Sequence, residues 1–364
     1  MTGSSDNAPQ RRPLVRRLAA PAASLALAIV LLVLWGVWET TRPGPFARQG
    51  PDTTVILHHG ARLSEIASDL QAQGVIRSAT VFTVVARVTG AARGLKAGEY
   101  DFLSRATLRQ VIWAIQHGLI VHHRVTIPEG ASSSQVIAIL LATPVLAGVP
   151  PAPAEGSILP DTYEVQRGAD RAAVLQRMAV ARDRLLAELW PRRRADLPFA
   201  TPEQAMILAS IVEKETALAS ERPRIAAVFV NRLQEGVRLE SDPTIIYGIT
   251  HGLPLGRGIR ESEIQAATPY NTYRITGLPP TPICNPGRAS IAAVLDPPRT
   301  SELYFVADGT GGHAFASTLE DHERNVQRWR QIEQSRPAHP SATPASPGSL
   351  VKPAPLRGEL RSAR

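Results

Sequence analysis

The 21 residues from Leu18 to Trp38, LAAPAASLALAIVLLVLWGVW, contain no charged side chain. As a helix rising about 1.5 Å per residue, such a run reaches roughly 31 Å, enough to cross the hydrocarbon core of a bilayer. Arg11, Arg12, Arg16 and Arg17 precede it, and Trp35 and Trp38 lie at its far end. The positive-inside rule therefore predicts a cytoplasmic N-terminus over residues 1–17, a single transmembrane helix over 18–39 and export of everything that follows. A cleaved signal peptide is the alternative. Against it stand the length of the run and its tryptophan-rich end, where a signal peptide carries a small-residue cleavage site.

Charge then limits the partners. The chain has 364 residues and a formal net charge of +8. The four N-terminal arginines against Asp6 account for +3, and Arg336, Lys352, Arg357, Arg361 and Arg364 against Glu359 account for +4. About +1 is left for the long middle, so the excess sits at the two ends and no nucleic-acid surface is expected. Cys284 is the single cysteine. An intrachain disulfide is excluded, and between prolines with no histidine nearby the thiol is expected to be a buried filler. His122 and His123 are adjacent on a probable strand and point to opposite faces, so no metal site is expected there.

Residues 40–50, TTRPGPFARQG, read as a linker. A small α/β region over 51–123 follows: a strand at TTVIL, a helix with apolar spacing at Leu63, Ile66, Ala67 and Leu70 closed by Gly74, a helix capped by Ser78, a strand at LKAGEYDF and a helix ending at Gly118. From 124 to 335 the pattern is a larger mixed α+β region. It opens with a strand at Arg124–Ile127 and a helix, then an extended SILPDTYEV, and helices over 170–190, around 201–221 and through ERPRIAAVFVNRLQEG. Val237 to Phe315 reads as short strands and structured loops, followed by a last helix over about 317–333. Residues 336–364 are rich in Pro, Ser and Ala and are expected to be disordered.

Within this plan ILASIVEKETALASE, residues 207–221, places two acidic residues in an apolar helical pattern. Thr201, Pro202 and Gln204 supply an N-cap, a first-turn proline and a capping box. With Leu208 at zero and a step of about 100° per residue, Ile211 falls near 300°, Val212 near 40°, Ala219 near 20° and Glu215 near 340°. Glu213 falls near 140° and Lys214 near 240°, off that stripe. Glu215 is therefore the inward carboxyl, and Glu213 is expected to be a supporting or solvated residue. An inward glutamate either pairs with an arginine, such as Arg232 or Arg224, or sits in a partly apolar cleft, its pKa raised, as a general acid. Tyr247, Tyr270, Asn271 and Tyr273 offer stacking faces and polar donors suited to a sugar chain, or plain aromatic core packing.

ASIVEKET, SERPRIAAVFVNRL, SDPTIIYG, YNTYRITGLPP, NPG and LYFVADGTGGHAF occur in this order, with LKAGEYDF, VTIPEG and LPDTYE upstream. Over roughly residues 52–333 the chain resembles the endolytic murein transglycosylase family (MltG-type, YceG-like). The resemblance implies an inner-membrane protein whose periplasmic body holds a small LysM-like domain and a catalytic domain that cuts peptidoglycan glycan strands internally, near the synthases that make them. It implies a catalytic role for the second glutamate of E-K-E-T, which is Glu215. Asp242, Tyr247, Asn271, Tyr273 and Thr276 match family positions and are expected to line the substrate groove. Ile158, Leu159, Thr281 and Cys284 depart from residues usual in the family.

The expected reaction needs one acid and neither cofactor nor metal. Glu215 protonates the glycosidic oxygen, then as carboxylate takes the proton of the attacking muramoyl C6 hydroxyl, leaving a 1,6-anhydro end. A hydrolase using Glu240 or Asp242 as second carboxylate is one rival, since hydrolytic pairs stand about 5–9.5 Å apart. A non-catalytic anchored scaffold that binds peptidoglycan is another.

Overall fold

The computed structural model describes residues 14–335. The expectations for the extreme N-terminus and for a disordered tail fall on residues 1–13 and 336–364, outside the described residues. The chain is α+β and divides into two compact units, Met1–His123 and Arg124–Arg364.

In the first unit helix α1 (Leu14–Thr41) contains the apolar run. Its Ser24–Thr41 stretch, on composition and length alone, is one helix able to cross a membrane or to act as a signal sequence. Strand β1 (Asp52–Leu57) pairs antiparallel with β2 (Gly98–Leu103), Asp52 opposite Leu103 and Leu57 opposite Gly98. Between them run α2 (Leu63–Ala72) and α3 (Ala79–Val88), and α4 (Leu108–His117) follows. The local signals behave as chemistry requires. Ser78 Oγ accepts from Val81 N–H, Thr107 and Gln110 form a capping box, and Gly118 ends α4 with φ 66°, in the left-handed region that glycine enters without strain. Val55, Leu57, Leu70, Phe82, Tyr100, Val111 and Ile115 form an apolar core between the strand pair and the helices.

Strand β3 (His123–Thr126) starts on the last residue of the first unit and leads into the second, which continues with α5 (Ser133–Ala142), β4 (Leu146–Ala147), β5 (Thr162–Val165), β6 (Ala169–Asp170) and α6 (Arg171–Leu189). β3 pairs with β5, and β4 runs parallel to β6. Then come α7 (Pro202–Glu215), α8 (Arg222–Gln234), α9 (Asp242–Thr250), α10 (Glu261–Gln265) and α11 (Arg288–Leu295). The antiparallel pair β7 (Tyr304–Ala307) and β8 (His313–Ala316) and helix α12 (Leu319–Ser335) complete it. Helices α7, α8 and α11 pack on one another around Leu208, Ile211, Val212, Ile225, Phe229, Ile291 and Val294.

Two expectations are corrected. Residues 237–295 hold three helices where short strands and structured loops were expected, and the short strands come only at β7 and β8. The β-branched Thr244, Ile245 and Ile246 favour a strand by composition. Ser241 and Pro243, however, form a helix start, and burial of Thr244, Ile245 and Tyr247 on one face of α9 decides the outcome. Helix α7 also stops at Glu215, so Ala219, counted on its inward stripe, lies exposed beyond it. Thr216 is extended (φ −139°, ψ 136°) and its Oγ1 accepts from Leu218 N–H, a local bond that competes with continuing the helix.

Candidate active site

Helix α7 starts as its sequence dictates: Gln204 N–H donates to Thr201 Oγ1, and Gln204 Oε1 accepts from Thr201 N–H. From Ala205 to Glu215 its side chains are buried, with Lys214 the exception. A helix enclosed on all sides has no solvent face, so of the two roles left open for Glu213 the solvated one is excluded and the supporting one remains. Glu213 is 9% exposed. Its Oε1 accepts from Arg222 Nη2 at 3.0 Å, and its Oε2 accepts from Gly287 N–H at 2.9 Å and Ser290 Oγ at 2.7 Å. Gly287 is the N-cap of α11, so the carboxylate also meets the positive end of that helix. Glu213 thus clips the end of α7 to the starts of α8 and α11.

Glu215 is as buried, at 8% exposed, but its surroundings differ. Its Oε1 accepts from Ser241 Oγ at 2.5 Å. The arginines weighed as partners are engaged by other carboxylates: Arg232 Nη1 donates to Glu240 Oε2 at 3.2 Å, and Arg224 forks onto Glu302. Ser241 is the N-cap of α9 and Asp242 its first residue, so the end of α7 meets the start of α9.

All five expected groove residues lie on α9 or in the loop that follows Tyr270, and they divide by role. Asp242 Oδ1 accepts from Tyr273 Oη at 2.7 Å. Burial pushes the Asp242 carboxyl up from the usual range, and the Tyr273 hydrogen bond partly offsets this. Burial also pushes the Tyr273 phenol far up, and the negative charges of Asp242, Glu215 and Glu240 add to it, so this phenol lies within the electrostatic reach of Glu215. Tyr247 stands 5.0 Å from the Tyr270 ring and donates to Glu155 Oε2 at 3.4 Å. Its phenol is pushed up to about 12, by burial first and then by Glu155. Thr276 is exposed in the bend that follows. Asn271 is fully buried: its Nδ2 donates to the carbonyls of Glu263, Ile264 and Ala266, and its Oδ1 accepts from Tyr273 N–H. That amide is spent on backbone, so Asn271 shapes the loop carrying Tyr270 and Tyr273 and does not face a groove.

Sequence reasoning passed over Ser241 and Glu155. Ser241 carried a signal, since Ser-Asp-Pro is a helix start. Glu155 carried none: it lies in a Pro/Ala loop, yet it accepts from Ser133 N–H at 2.9 Å, Ser133 Oγ at 3.2 Å and Asn285 Nδ2 at 3.3 Å. Burial pushes its carboxyl up against those bonds. Cys284 is buried with its Sγ on Ser210 O, and its thiol is pushed far up by burial, which suits a filler and no nucleophile. Among the described residues no three His, Cys, Asp or Glu side chains converge as metal ligands.

These elements fall within a recognised pattern. A protein of Bacillus subtilis (strain 168) named endolytic murein transglycosylase is 26% identical over 302 residues, covering 74% of this chain and 82% of that protein. A protein of the same name in Streptococcus pneumoniae (serotype 2, strain D39) is 26% identical over 322 residues, covering 75% of this chain; this chain spans little more than half its length, 57%. A solved YceG-like protein of Listeria monocytogenes aligns at 26% identity and a TM-score of 0.46, covering 75% of this chain and 98% of that one. The model of the YceG-like family matches residues 55–328, and the chain belongs to that family.

Proposed function

We propose that this chain is an enzyme, a lytic transglycosylase held in the inner membrane. It cleaves the β-1,4 bond between N-acetylmuramic acid and N-acetylglucosamine inside nascent peptidoglycan strands, leaves 1,6-anhydro ends and so limits glycan length. The names of the relatives support the substrate and the reaction class. The assignment to residues rests on one observation: the buried Glu215 carboxyl meets the start of α9, its Oε1 accepting from the hydroxyl of Ser241, the residue before Asp242.

In the proposed reaction protonated Glu215 gives its proton to the oxygen leaving as the N-acetylglucosamine 4-hydroxyl, and the muramoyl C1–O bond breaks. The muramoyl C6 hydroxyl closes on C1 and its proton passes to Glu215, which ends as it began. No water is consumed. A positioned acid and base of this kind contributes about 10²–10⁴-fold. Asp242, Tyr247, Tyr273 and Thr276 line the substrate side, with Asn271 holding their loop. Residues 18–39 anchor the chain with its N-terminus in the cytoplasm, and the rest lies in the periplasm beside the synthases, as the four arginines ahead of the apolar run support. The β1–α2–α3–β2 order of residues 51–123 supports a LysM-like domain, and residues 124–335 form the catalytic domain.

A hydrolase with Asp242 as base is the second reading, favoured by the fixed Asp242–Tyr273 pair next in sequence to the Ser241 that meets Glu215. Mass spectrometry of products from uncrosslinked glycan strands separates the two. The proposal expects ends lacking one water relative to reducing ends; reducing ends would establish the hydrolase, and uncut strands would contradict both.

A further inference from the structure

We infer that the Ser241 hydroxyl is a positioning residue for Glu215, set in place by the buried hydroxyls of Thr244 and Thr272 and by the Arg232–Glu240 pair. The inference rests on Glu215 being the acid proposed above and deepens that reading.

Ser241 gives up the role its position offers. A serine at a helix N-cap normally turns its oxygen back to the N–H groups of the first turn. Here Ser241 makes no such capping bond, and its hydroxyl goes to Glu215 Oε1 at 2.5 Å. The backbone that aims it is tied on both sides. Ser241 N–H donates to Thr272 Oγ1 at 2.9 Å, Thr244 Oγ1 donates to Ser241 O at 2.6 Å, and the two threonine hydroxyls are 2.9 Å apart. Ser241, Thr244 and Thr272 are fully buried, so this cluster is screened from water.

The preceding residue points the same way. Glu240 has φ 53°, in the left-handed region that a residue with a side chain seldom enters unless its surroundings hold it there. They do: Glu240 N–H donates to Thr272 O at 3.2 Å, and Arg232 Nη1 donates to Glu240 Oε2. Arg232 Nη1 also donates to the carbonyls of Arg238 and Leu239, so the whole approach to Ser241 is fixed from one guanidinium. A donor fixed on Oε1 sets the plane of the carboxyl and so the direction in which its proton is offered to the glycosidic oxygen. The same donor stays in place once Glu215 is a carboxylate. An interaction of this kind acts on the bond-breaking step and not on sugar binding, so it appears in kcat and not in KM.

The test uses the full-length protein in detergent on purified uncrosslinked glycan strands, with kcat, KM and the thermal midpoint measured for S241A, S241C, S241T and E215Q. S241C keeps the volume of the site with a much weaker donor, and it decides the matter should S241A not fold. The expected result is a fall in kcat of about 10–100-fold for S241A and S241C, as loss of a charge-assisted hydrogen bond implies, with KM within about twofold of wild type. S241T, which keeps a hydroxyl, stays within about fivefold of wild type, a split that a purely structural role would not produce. A folded S241A or S241C with wild-type kcat, while E215Q is inactive, overturns this inference alone. An active E215Q overturns the reading beneath it. A fall for S241T as deep as for S241A also overturns the inference, since the hydroxyl would then not be what matters.

Discussion

The two compact units bury different chemistry. The first closes on Val55, Leu70, Phe82, Tyr100 and Ile115, and Glu99 is its one buried charged side chain among the described residues. The second buries Glu213, Glu215, Arg222, Arg232 and Glu240 together with the hydroxyls of Ser241, Thr244 and Thr272. An apolar core derives its stability from area and does not care strongly which apolar residue fills it. Buried charges and hydroxyls must each meet a partner, so they fix positions at a cost in desolvation. The same contrast recurs two residues apart within the second unit. Glu213 and Glu215 are 9% and 8% exposed, yet Glu213 is held by a guanidinium, a helix N-terminus and a hydroxyl, whereas a serine hydroxyl is set on Glu215. Burial alone therefore does not separate the structural carboxylate from the candidate acid; their partners do.

The contrast is open to attack by substitution. Glu213→Ala leaves Arg222 buried beside a cavity with only the half-exposed Glu129 to meet it, and stability is expected to fall by about 3–5 kcal/mol in denaturant unfolding. A loss below about 1 kcal/mol would show that the Glu213 clip is dispensable. In the first unit Ile115→Val, at a fully buried apolar position, is expected to cost only about 0.5–1.5 kcal/mol and to leave glycan cleavage unchanged. A cost as large as that of Glu213→Ala would erase the distinction between the units.

The smallest effect concerns pH. Burial raises the carboxyls of Asp242, Glu240 and Glu155, so the folded state holds their protons more tightly than the unfolded chain does. Their contribution is fully present below the ordinary carboxylate range and is lost as pH rises through the raised folded values. Asp242→Asn imitates the protonated form and keeps an acceptor for Tyr273. Relative to wild type its thermal midpoint is expected to match near pH 4 and to gain on the order of 1–3 °C by pH 7. A variant that loses ground as pH rises would reverse the sign of the burial effect.

Much of this was legible in the sequence wherever one local signal dominates. Ser78, Thr107–Gln110 and Thr201–Pro202–Gln204 start helices as written, and the spacing of Leu63, Ile66, Ala67 and Leu70 gives α2 and its buried face. Glu215 was placed inward by phase. Where tertiary packing decides, the sequence was silent. The wheel treats a helix as having one buried side, and α7 has none exposed along most of its length, so helical phase leaves Glu213 open between a supporting and a solvated role and only packing selects the first. The β-branched run in SDPTIIYG hid the helix that carries Ser241, Asp242 and Tyr247. An amide in a loop can serve a groove or tie its own loop, and for Asn271 only the three carbonyls around it select the second use.

The claim that matters most is that Glu215, and not its equally buried neighbour, performs the chemistry. The direct measurement is the number of 1,6-anhydro ends released from uncrosslinked glycan strands by wild type and by Glu215→Gln, with the thermal midpoint of each recorded. The account predicts a loss of about 10²–10⁴-fold for Glu215→Gln with the midpoint nearly unchanged. A folded Glu215→Gln variant that releases anhydro ends at the wild-type rate would contradict it.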